Sequence, residues 1–487
     1  GSEYIPNVTT TGGPVGTYWP ISTGNTQLIF NGTTGAGYYT FIDRDGTVMN
    51  FTTGAGGYVS NMTMPDGTVW TWTYNSSMRI ESVFSNRGWA ILFDADTACA
   101  VNTATTYVTA TSPCPAGVQT ISYGYTAGVY NTGARLLTSA TKAGQATTYT
   151  YTGSDKLGCI KEPGQSVCSI QNTYYACPRD PGSGSPIQPY VRIKDPVISQ
   201  VDASGRSITY GYAIGYEPAS GNVHGAPCNY YGPEQNGWPF VNSRTDVHIN
   251  GVPRSYLTVP GGESLTVTDE IGRVTKLGFE GGGQLTGAVY AEGNAMTVVK
   301  DGQGNPIGQK LSPKPTSGLS IAETTASYPS SCANPKVCGK PSSVTDARGN
   351  TTSYTYSNDH GGVLTETGPA LGGVQPVKRY AYAQHYAWLR ASSGGYAQAA
   401  SPVWLVSEER TCRTSATVGN ACAAGTADEV VVSYQYEAGN ASTPSNLLLK
   451  GKTITADGQA LRTCYGYDGE GNKIWETEPR AGLSTCA

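Results

Sequence analysis

Apolar and polar residues alternate with a period of two along most of this chain, and short polar reversals interrupt the alternation. Residues 341–356, Pro-Ser-Ser-Val-Thr-Asp-Ala-Arg-Gly-Asn-Thr-Thr-Ser-Tyr-Thr-Tyr, show the unit most clearly. A strand ends at Thr345, Asp346–Gly349 reverses the chain, and a second strand sets Thr352, Tyr354 and Tyr356 on one face. Aspartate suits the first turn position because its carboxylate accepts a backbone N–H two residues on. Glycine suits the last because it tolerates positive φ.

The same syntax recurs as Asp43/Gly46, Asp202/Gly205, Asp269/Gly272, Asp301/Gly304 and Asp468/Gly471. Asp45-Gly46-Thr47-Val48 returns as Asp66-Gly67-Thr68-Val69. An aromatic lies five residues after Gly67, Gly205 and Gly349, namely Trp72, Tyr210 and Tyr354, which fixes the packed face of each outgoing strand. Tyr-x-Tyr pairs follow at Tyr123/Tyr125, Tyr149/Tyr151, Tyr380/Tyr382, Tyr434/Tyr436 and Tyr465/Tyr467. No segment carries a 3.6-residue apolar stripe, and even 379–390 alternates. The pattern predicts an all-β fold, an elongated or spiralling sheet of consecutive β-hairpins with disulfide-stapled loops.

Four regions follow. Residues 1–37 hold Pro6, Pro14 and Pro20, which discourage regular pairing, and read as an extended N-terminal arm. Its Tyr4, Ile5, Val8, Tyr18 and Trp19 are assembly candidates if the arm joins a neighbour by strand addition; a tethered strand is the plainer reading. Residues 38–154 and 261–487 are hairpin repeats, the latter weakened by prolines over 305–340. Residues 155–260 read as a Cys/Pro-rich irregular insertion with a short strand pair around Val201–Tyr212.

Composition sharpens this. Among 487 residues are 63 Gly and 33 Tyr but only 7 Phe and 5 Met, which favours strands and turns whose aromatic faces are packed on one side and wet at the hydroxyl. A net charge of −4 without a basic run argues against nucleic acid, and no run of about 18 apolar residues offers a transmembrane segment. Twelve cysteines sit largely as close pairs. Cys99/Cys114, Cys332/Cys338, Cys412/Cys422 and Cys464/Cys486 are the expected bridges, while Cys159, Cys168, Cys177 and Cys228 can pair in three ways. Disulfides imply an oxidising compartment, hence a secreted or cell-surface protein. The Gly-Ser start fits either removal of a signal peptide or a cloning scar.

Chemistry is thin. The turn aspartates read as punctuation, and Asp94-Ala95-Asp96 has too few oxygen ligands for a calcium loop. His224, His248, His360 and His385 are scattered, there is no Cys-x-x-Cys and no Gly-x-Ser-x-Gly. Pro306 and the lack of a following helix dispose of Gly302-x-Gly304-x-x-x-Gly308 as a phosphate loop. No catalytic residue, cofactor or metal is expected. Trp70, Trp72, Trp89, Trp238, Trp388 and Trp404 suit either hairpin packing or sugar stacking. Sequons at Asn7, Asn31, Asn50, Asn61, Asn75, Asn350 and Asn440 would mark surface if the host attaches glycans.

Thr345–Thr352, Thr268–Thr275 and Tyr465–Asn472, with their Asp-x-x-Gly-Arg/Asn cores and Tyr-x-Tyr strands, resemble the YD-repeat (RHS-repeat) family of bacterial exported proteins. The resemblance covers most of 38–154 and 195–487. It implies hairpin sheets that spiral, often into a hollow shell around a C-terminal toxic segment, with a core element that can include a self-cleaving aspartyl protease. The sequence carries no such core signature or toxin-like segment, so it reads as a short member or part of a longer precursor. The expected role is a non-enzymatic exported structural or surface protein, a subunit of an extracellular filament or layer that self-associates through its sheet or arm. The alternatives are a section of a toxin-encapsulating shell and a carbohydrate-binding adhesin.

Overall fold

A computed structural model describes residues 4–6, 16–20, 26–33, 36–52, 57–129, 133, 135–153, 155–174, 197–214, 243–258, 264–280 and 284–486. The chain divides into two compact units, one drawn mainly from 121–299 and 309–322, the other from 2–120, 300–308 and 323–487.

In the first unit, strands from Thr120–Ala127 to Ala295–Lys300 pair antiparallel, each with the next in sequence. The described part of 155–260 therefore continues the hairpin series: Leu157–Lys161, Ile170–Tyr174, Val197–Asp202 and Ser207–Ile214 are successive neighbours. The proline-rich stretches that suggest irregularity fall mostly outside the described residues, as do Cys177, Cys228, His224 and Trp238.

In the second unit, Tyr4–Pro6 pairs with Gly16–Pro20, which pairs with Gln27–Thr33, and the series runs on to Thr97–Asn102. Tyr4, Ile5, Tyr18 and Trp19 thus lie on strands paired within their own chain, and Val8 lies outside the described residues. Pro6 and Pro20 occupy strand ends, where a missing N–H is tolerated. A second series begins at Ala322–Ser327 and ends at Lys473–Glu476, with one short helix, Pro335–Cys338, among the described residues.

The reversals share one geometry. Asp346 N–H donates to the Asn350 carbonyl (2.9 Å) and Gly349 N–H to the Asp346 carbonyl (3.0 Å), with Gly349 at φ 83°. The Asp346 carboxylate accepts the N–H groups of Arg348 (2.8 Å) and Asn350 (2.9 Å) and the Asn350 side-chain amide (3.0 Å). Asp301–Asn305, with Gly304, and Asp468–Asn472, with Gly471, repeat all of this. Around Asp43 the duty is divided: Asp43 accepts Arg44 N–H, and Asp45 accepts Thr47 N–H.

The reversals at Asp202–Gly205 and Asp269–Gly272 keep this geometry and differ only in the side chain that donates to the carboxylate. Gly205 N–H donates to the Asp202 carbonyl (2.9 Å) and Gly272 N–H to the Asp269 carbonyl (3.0 Å), both glycines at φ 81°. In the second of them the Arg273 guanidinium takes the place of the asparagine amide on the Asp269 carboxylate (2.7 Å). Gly272 is the last residue of its turn, as Gly349 is: its N–H closes the reversal onto the Asp269 carbonyl. The turn is centred on Glu270–Ile271, and Arg273 links its closing glycine to the strand Val274–Glu280. A Cβ at Gly205, Gly272 or Gly349 would meet nothing within 4 Å, so only the backbone conformation calls for glycine there. At Gly46 a Cβ would also strike the Lys336 backbone, which makes that position a packing contact as well as a turn.

The same loop appears at 75–79 and 152–156 with Met78 and Asp155 at φ 59° in the glycine position. A side chain there costs about 1 kcal/mol. Gly349→Ala is expected to lose that amount, and Met78→Gly to lose nothing or gain, in paired urea melts.

Fully buried side chains form only small clusters: Ala90, Leu92, Cys99 and Val101 in one, Ala387, Ala399, Val403 and Leu447 in another. Much of the cohesion therefore rests on cross-strand pairs and on two recurring polar devices.

Candidate functional site: tyrosine locks and a closing seam

The first device explains the Tyr-x-Tyr strands. The pairing register shifts by one residue just before Phe51, Tyr74, Tyr125, Tyr151, Tyr174, Phe279, Tyr356, Tyr382, Tyr436 and Tyr467. Such a bulge bends the strand and re-aims the next side chain. Six of these tyrosines donate their hydroxyl to a main-chain carbonyl on or beside the preceding strand. Tyr74 reaches Val59 (2.8 Å), Tyr151 Leu137 (2.8 Å), Tyr174 Leu157 (2.7 Å), Tyr356 Pro341 (2.9 Å), Tyr436 Val406 (3.0 Å) and Tyr467 Leu449 (2.9 Å). The acceptors are not arbitrary. Val59, Leu137, Leu157, Val406 and Leu449 each sit opposite the aromatic of the preceding bulge: Phe51, Tyr125, Tyr151, Tyr382 and Tyr436. Each bulge thus presents the carbonyl on which the next tyrosine locks.

Burial raises the hydroxyl pKa of Tyr74, Tyr151, Tyr436 and Tyr467 above the ordinary value, and that of Tyr356 to about 12. The sign follows. Below pH 10 the folded and unfolded phenols are both neutral; from 10 to about 12 the unfolded Tyr356 ionises first, so its contribution to stability is lost as pH rises through that window. Each Tyr→Phe change at a lock is expected to cost about 1 kcal/mol in urea melts. Locks in well-separated strands should add.

The second device is a seam inside the second unit, where the tips of the early hairpins meet segments hundreds of residues later. Arg44 donates to the Gly304 carbonyl (3.0 Å) and to Asn305 Oδ1 (3.1 Å). Trp404 N–H donates to the Asp66 carbonyl (2.7 Å), and Asn86 Nδ2 donates to Ser401 Oγ (3.0 Å). Asn446 Nδ2 reaches the carbonyls of Gly88 (2.7 Å) and Arg87 (3.2 Å), and Arg390 N–H reaches that of Thr103 (2.9 Å). Most buried polar residues lie along this line: Thr47, Thr68, Ser85, Thr103, Asn305, His360, Ser445 and Asn446. A water-excluded polar side chain is costly unless paired, so the row encodes a specific closure and not a loose apolar contact.

Backbone strain positions one member. Leu447 is buried with φ 62°, a region disfavoured for a bulky side chain. The knuckle is held by Ser445, whose Oγ donates to the Glu437 carbonyl (3.0 Å) and whose backbone pairs with Trp388, and by Glu437 Oε2, which accepts Asn446 N–H (3.0 Å). The turn drives Leu447 into the core and Asn446 toward Gly88.

Near the Asp66–Trp404 contact, His360 packs against Tyr382 (4.2 Å between ring centres) and Trp404 (4.8 Å). Its Nδ1 accepts Gly362 N–H (3.1 Å), and burial pushes its pKa below the ordinary value. Lys336 and Lys340 donate to the carbonyls of Asp359 and Gly361 on either side.

A charged row crosses the neighbouring strands. Lys378 meets Glu409 (2.6 Å), which also accepts the Tyr434 hydroxyl (2.6 Å). The hydrogen bond from Lys378 to Glu409 raises the lysine pKa; burial would raise that of Glu409, but the bonds from Lys378 and Tyr434 outweigh it and hold the carboxylate below its usual range. On the other face Arg379 and Arg410 both bind Glu429 (2.9 and 3.0 Å). These groups neutralise one another.

The remaining sequence candidates fall as follows. Cys99–Cys114, Cys332–Cys338, Cys412–Cys422 and Cys464–Cys486 are bonded, and Cys159 pairs with Cys168. Cys412, Cys422 and Asp428 cluster, but the sulfurs are in a disulfide and Asp428 is saturated by the N–H and O–H groups of Thr414 and Ser415, so they offer no ligand set. Three tryptophans cover glycines: Trp89 on Gly471, Trp388 on Gly439 and Trp475 on Gly466. No helix among the described residues is long and apolar enough to cross a membrane.

The chain matches no protein-family profile and no curated protein. Among solved structures it is similar over 92% of its length to a chain of the Photorhabdus luminescens Tc holotoxin pore with a mutated TccC3, at 8% identity and TM-score 0.34, spanning 27% of that chain. A TcdB2-TccC3-Cdc42 structure aligns over 95% of this chain and 25% of its own at 11% identity and TM-score 0.32. TcdB2-TccC3 aligns over 93% and 26% at 8% identity and TM-score 0.31. The chain spans about a quarter of the length of these structures.

Proposed function

We propose that this chain is a non-enzymatic, exported structural protein of the YD-repeat type, acting as a section of wall in a shell that surrounds another polypeptide. The seam is the observation that carries this reading. Within the second unit, the early hairpins are hydrogen-bonded to segments some 260 to 370 residues later, which joins its two hairpin series side by side, as a continuous wall must be joined and an open ribbon need not. The tyrosine locks add the regular bend that a curving wall requires. Disulfides fit an oxidising environment outside the cell.

The second reading, a filament subunit, rests on Tyr4–Pro6, which among the described residues is paired on one side only and so offers an edge for strand addition. Electron microscopy of the purified chain separates the two. Discrete curved or closed particles are expected, unchanged when residues 1–20 are deleted. Fibres that vanish with that deletion would transfer the assignment to the filament.

A further inference from the structure

The last described strand, Lys473–Glu476, repeats an earlier one. Val363–Thr367 lies against Thr351–Tyr356 with Tyr354 opposite Glu366 and, after a register shift, Tyr356 opposite Val363. Lys473–Glu476 lies against Gln459–Tyr467 with Tyr465 opposite Glu476 and, after the same shift, Tyr467 opposite Lys473. The sequences agree too: Val-Leu-Thr-Glu-Thr-Gly-Pro from 363 and Lys-Ile-Trp-Glu-Thr-Glu-Pro from 473.

The copies differ at their outer edge. Val363–Thr367 is covered by Val377–His385, with Arg379 opposite Thr365, Lys378 opposite Glu366 and Val377 opposite Thr367. Lys473–Glu476 has a pairing partner on one side only among the described residues, and all four of its residues are exposed, Ile474 by 61% and Trp475 by 48%. The following segment does not take the place of a covering strand. The Cys464–Cys486 bond brings Cys486 back to the sheet beside Gly451, on the inner side of Gln459–Tyr467. Thr477 N–H donates inward to the Cys464 carbonyl (3.0 Å). Because backbone groups of successive strand residues point to opposite edges, those of Glu476 point outward.

Resting on the hairpin-wall reading, we propose that the outer edge of Lys473–Glu476 is a docking edge for an extended strand of a second polypeptide. The covered copy supplies its chemistry: a lysine opposite Glu476, an arginine opposite Trp475 where the indole face can take a guanidinium, and a Tyr-x-Tyr pair beyond. Glu476 is now held by Lys473 at the surface, an exposed ion pair of little net worth that an incoming lysine can replace.

The probe is the peptide Val-Lys-Arg-Tyr-Ala-Tyr-Ala-Gln-His, residues 377–385, added to the full chain and followed by Trp475 fluorescence and calorimetry. Saturable binding is expected, at least fivefold tighter than for a scrambled peptide. Glu476→Pro removes only an outward N–H and should abolish binding while leaving the melting temperature near wild type. Should that variant not fold, Glu476→Lys should weaken the native peptide and favour one carrying Lys378→Glu. No binding, or equal binding by Glu476→Pro or by the scrambled peptide, overturns the proposal. Such a failure leaves the wall reading intact, because microscopy of the closed particle tests that separately.

Discussion

Asn446→Leu is expected to destabilise the second unit by about 2 kcal/mol and to open its seam. Leucine keeps the branched skeleton of asparagine but offers no hydrogen-bond donor, so the change removes the amide's bonds. The amide serves two carbonyls at once, those of Gly88 and Arg87, in a site where Asn446 is only 5% exposed. The Gly88 carbonyl keeps the Thr103 N–H (2.9 Å), so the change removes one of its two donors together with the bond to Arg87, a loss of about 1–3 kcal/mol in all. The strain at Leu447 makes the effect larger: once Asn446 no longer gains from its reach, the knuckle loses its main reason to hold a left-handed backbone. Urea melts would give the total. Hydrogen exchange would locate it, because the seam amides of Arg390 and Trp404 should lose protection while those within Gln459–Tyr467 keep theirs. A loss under about 0.5 kcal/mol, the scatter of an ordinary surface change, with unchanged seam exchange would show that the seam is incidental.

The contrast between this seam and the hairpins explains what the sequence can convey. A reversal such as Asp346–Asn350 is determined by five adjacent residues, so its aspartate, glycine and asparagine are readable without knowing the rest of the fold. The exchange of amide for guanidinium beside Gly272 is less readable, because Arg273 looks like any strand-edge cation until its carboxylate partner is seen. Short-range cysteine pairs are readable for the same reason as the turns, as at Cys412 and Cys422, only ten residues apart. The all-β class follows from alternation and composition together. The locks are half legible. Tyr-x-Tyr marks the strand face, but the bulge before the second tyrosine leaves no residue-type signature: Thr, Gly, Ala and Gln all precede it. Loops closed by Met78 or Asp155 escape notice because the glycine signal is missing although the geometry is the same. The seam is illegible because its partners are distant and individually ordinary; Asn446 and Asn86 look like any loop asparagine until their acceptors are seen. The cysteine and proline density of 155–260 misleads in the opposite direction, since short strands survive between the prolines wherever that region is described.

Acidification from pH 7.5 to pH 5 is expected to destabilise the second unit through His360, and His360→Gln should remove much of that dependence. The ring is 7% exposed between Tyr382 and Trp404, and its Nδ1 already accepts the Gly362 N–H, so a proton there would set two donors against each other. The surrounding charges are mixed. Asp359 and Asp66 favour protonation, Lys336 and Lys340 oppose it, and burial, the largest effect, holds the pKa below the ordinary 6.5. The sign is therefore fixed. Above pH 6.5 the imidazole is neutral in both folded and unfolded chains, and the full stability is present. As pH falls below 6.5 the unfolded chain takes up a proton that the folded one refuses, and stability declines until the folded pKa is reached. Each unit of depression is worth about 1.4 kcal/mol. His385, whose pKa burial also lowers, contributes in the same window, so the His360→Gln, His385→Gln double variant should be the flattest. The turn carboxylates of Asp346 and Asp468 act elsewhere. Hydrogen bonds from Asn350 and Asn472 hold them below the usual range, so their stability is lost only as pH falls below about 4. Urea melts of the wild type and the two variants at pH 7.5, 6 and 5 would separate the contributions. Parallel pH curves for wild type and His360→Gln would mean that the buried imidazole is no latch, and that acid acts on the second unit through other groups.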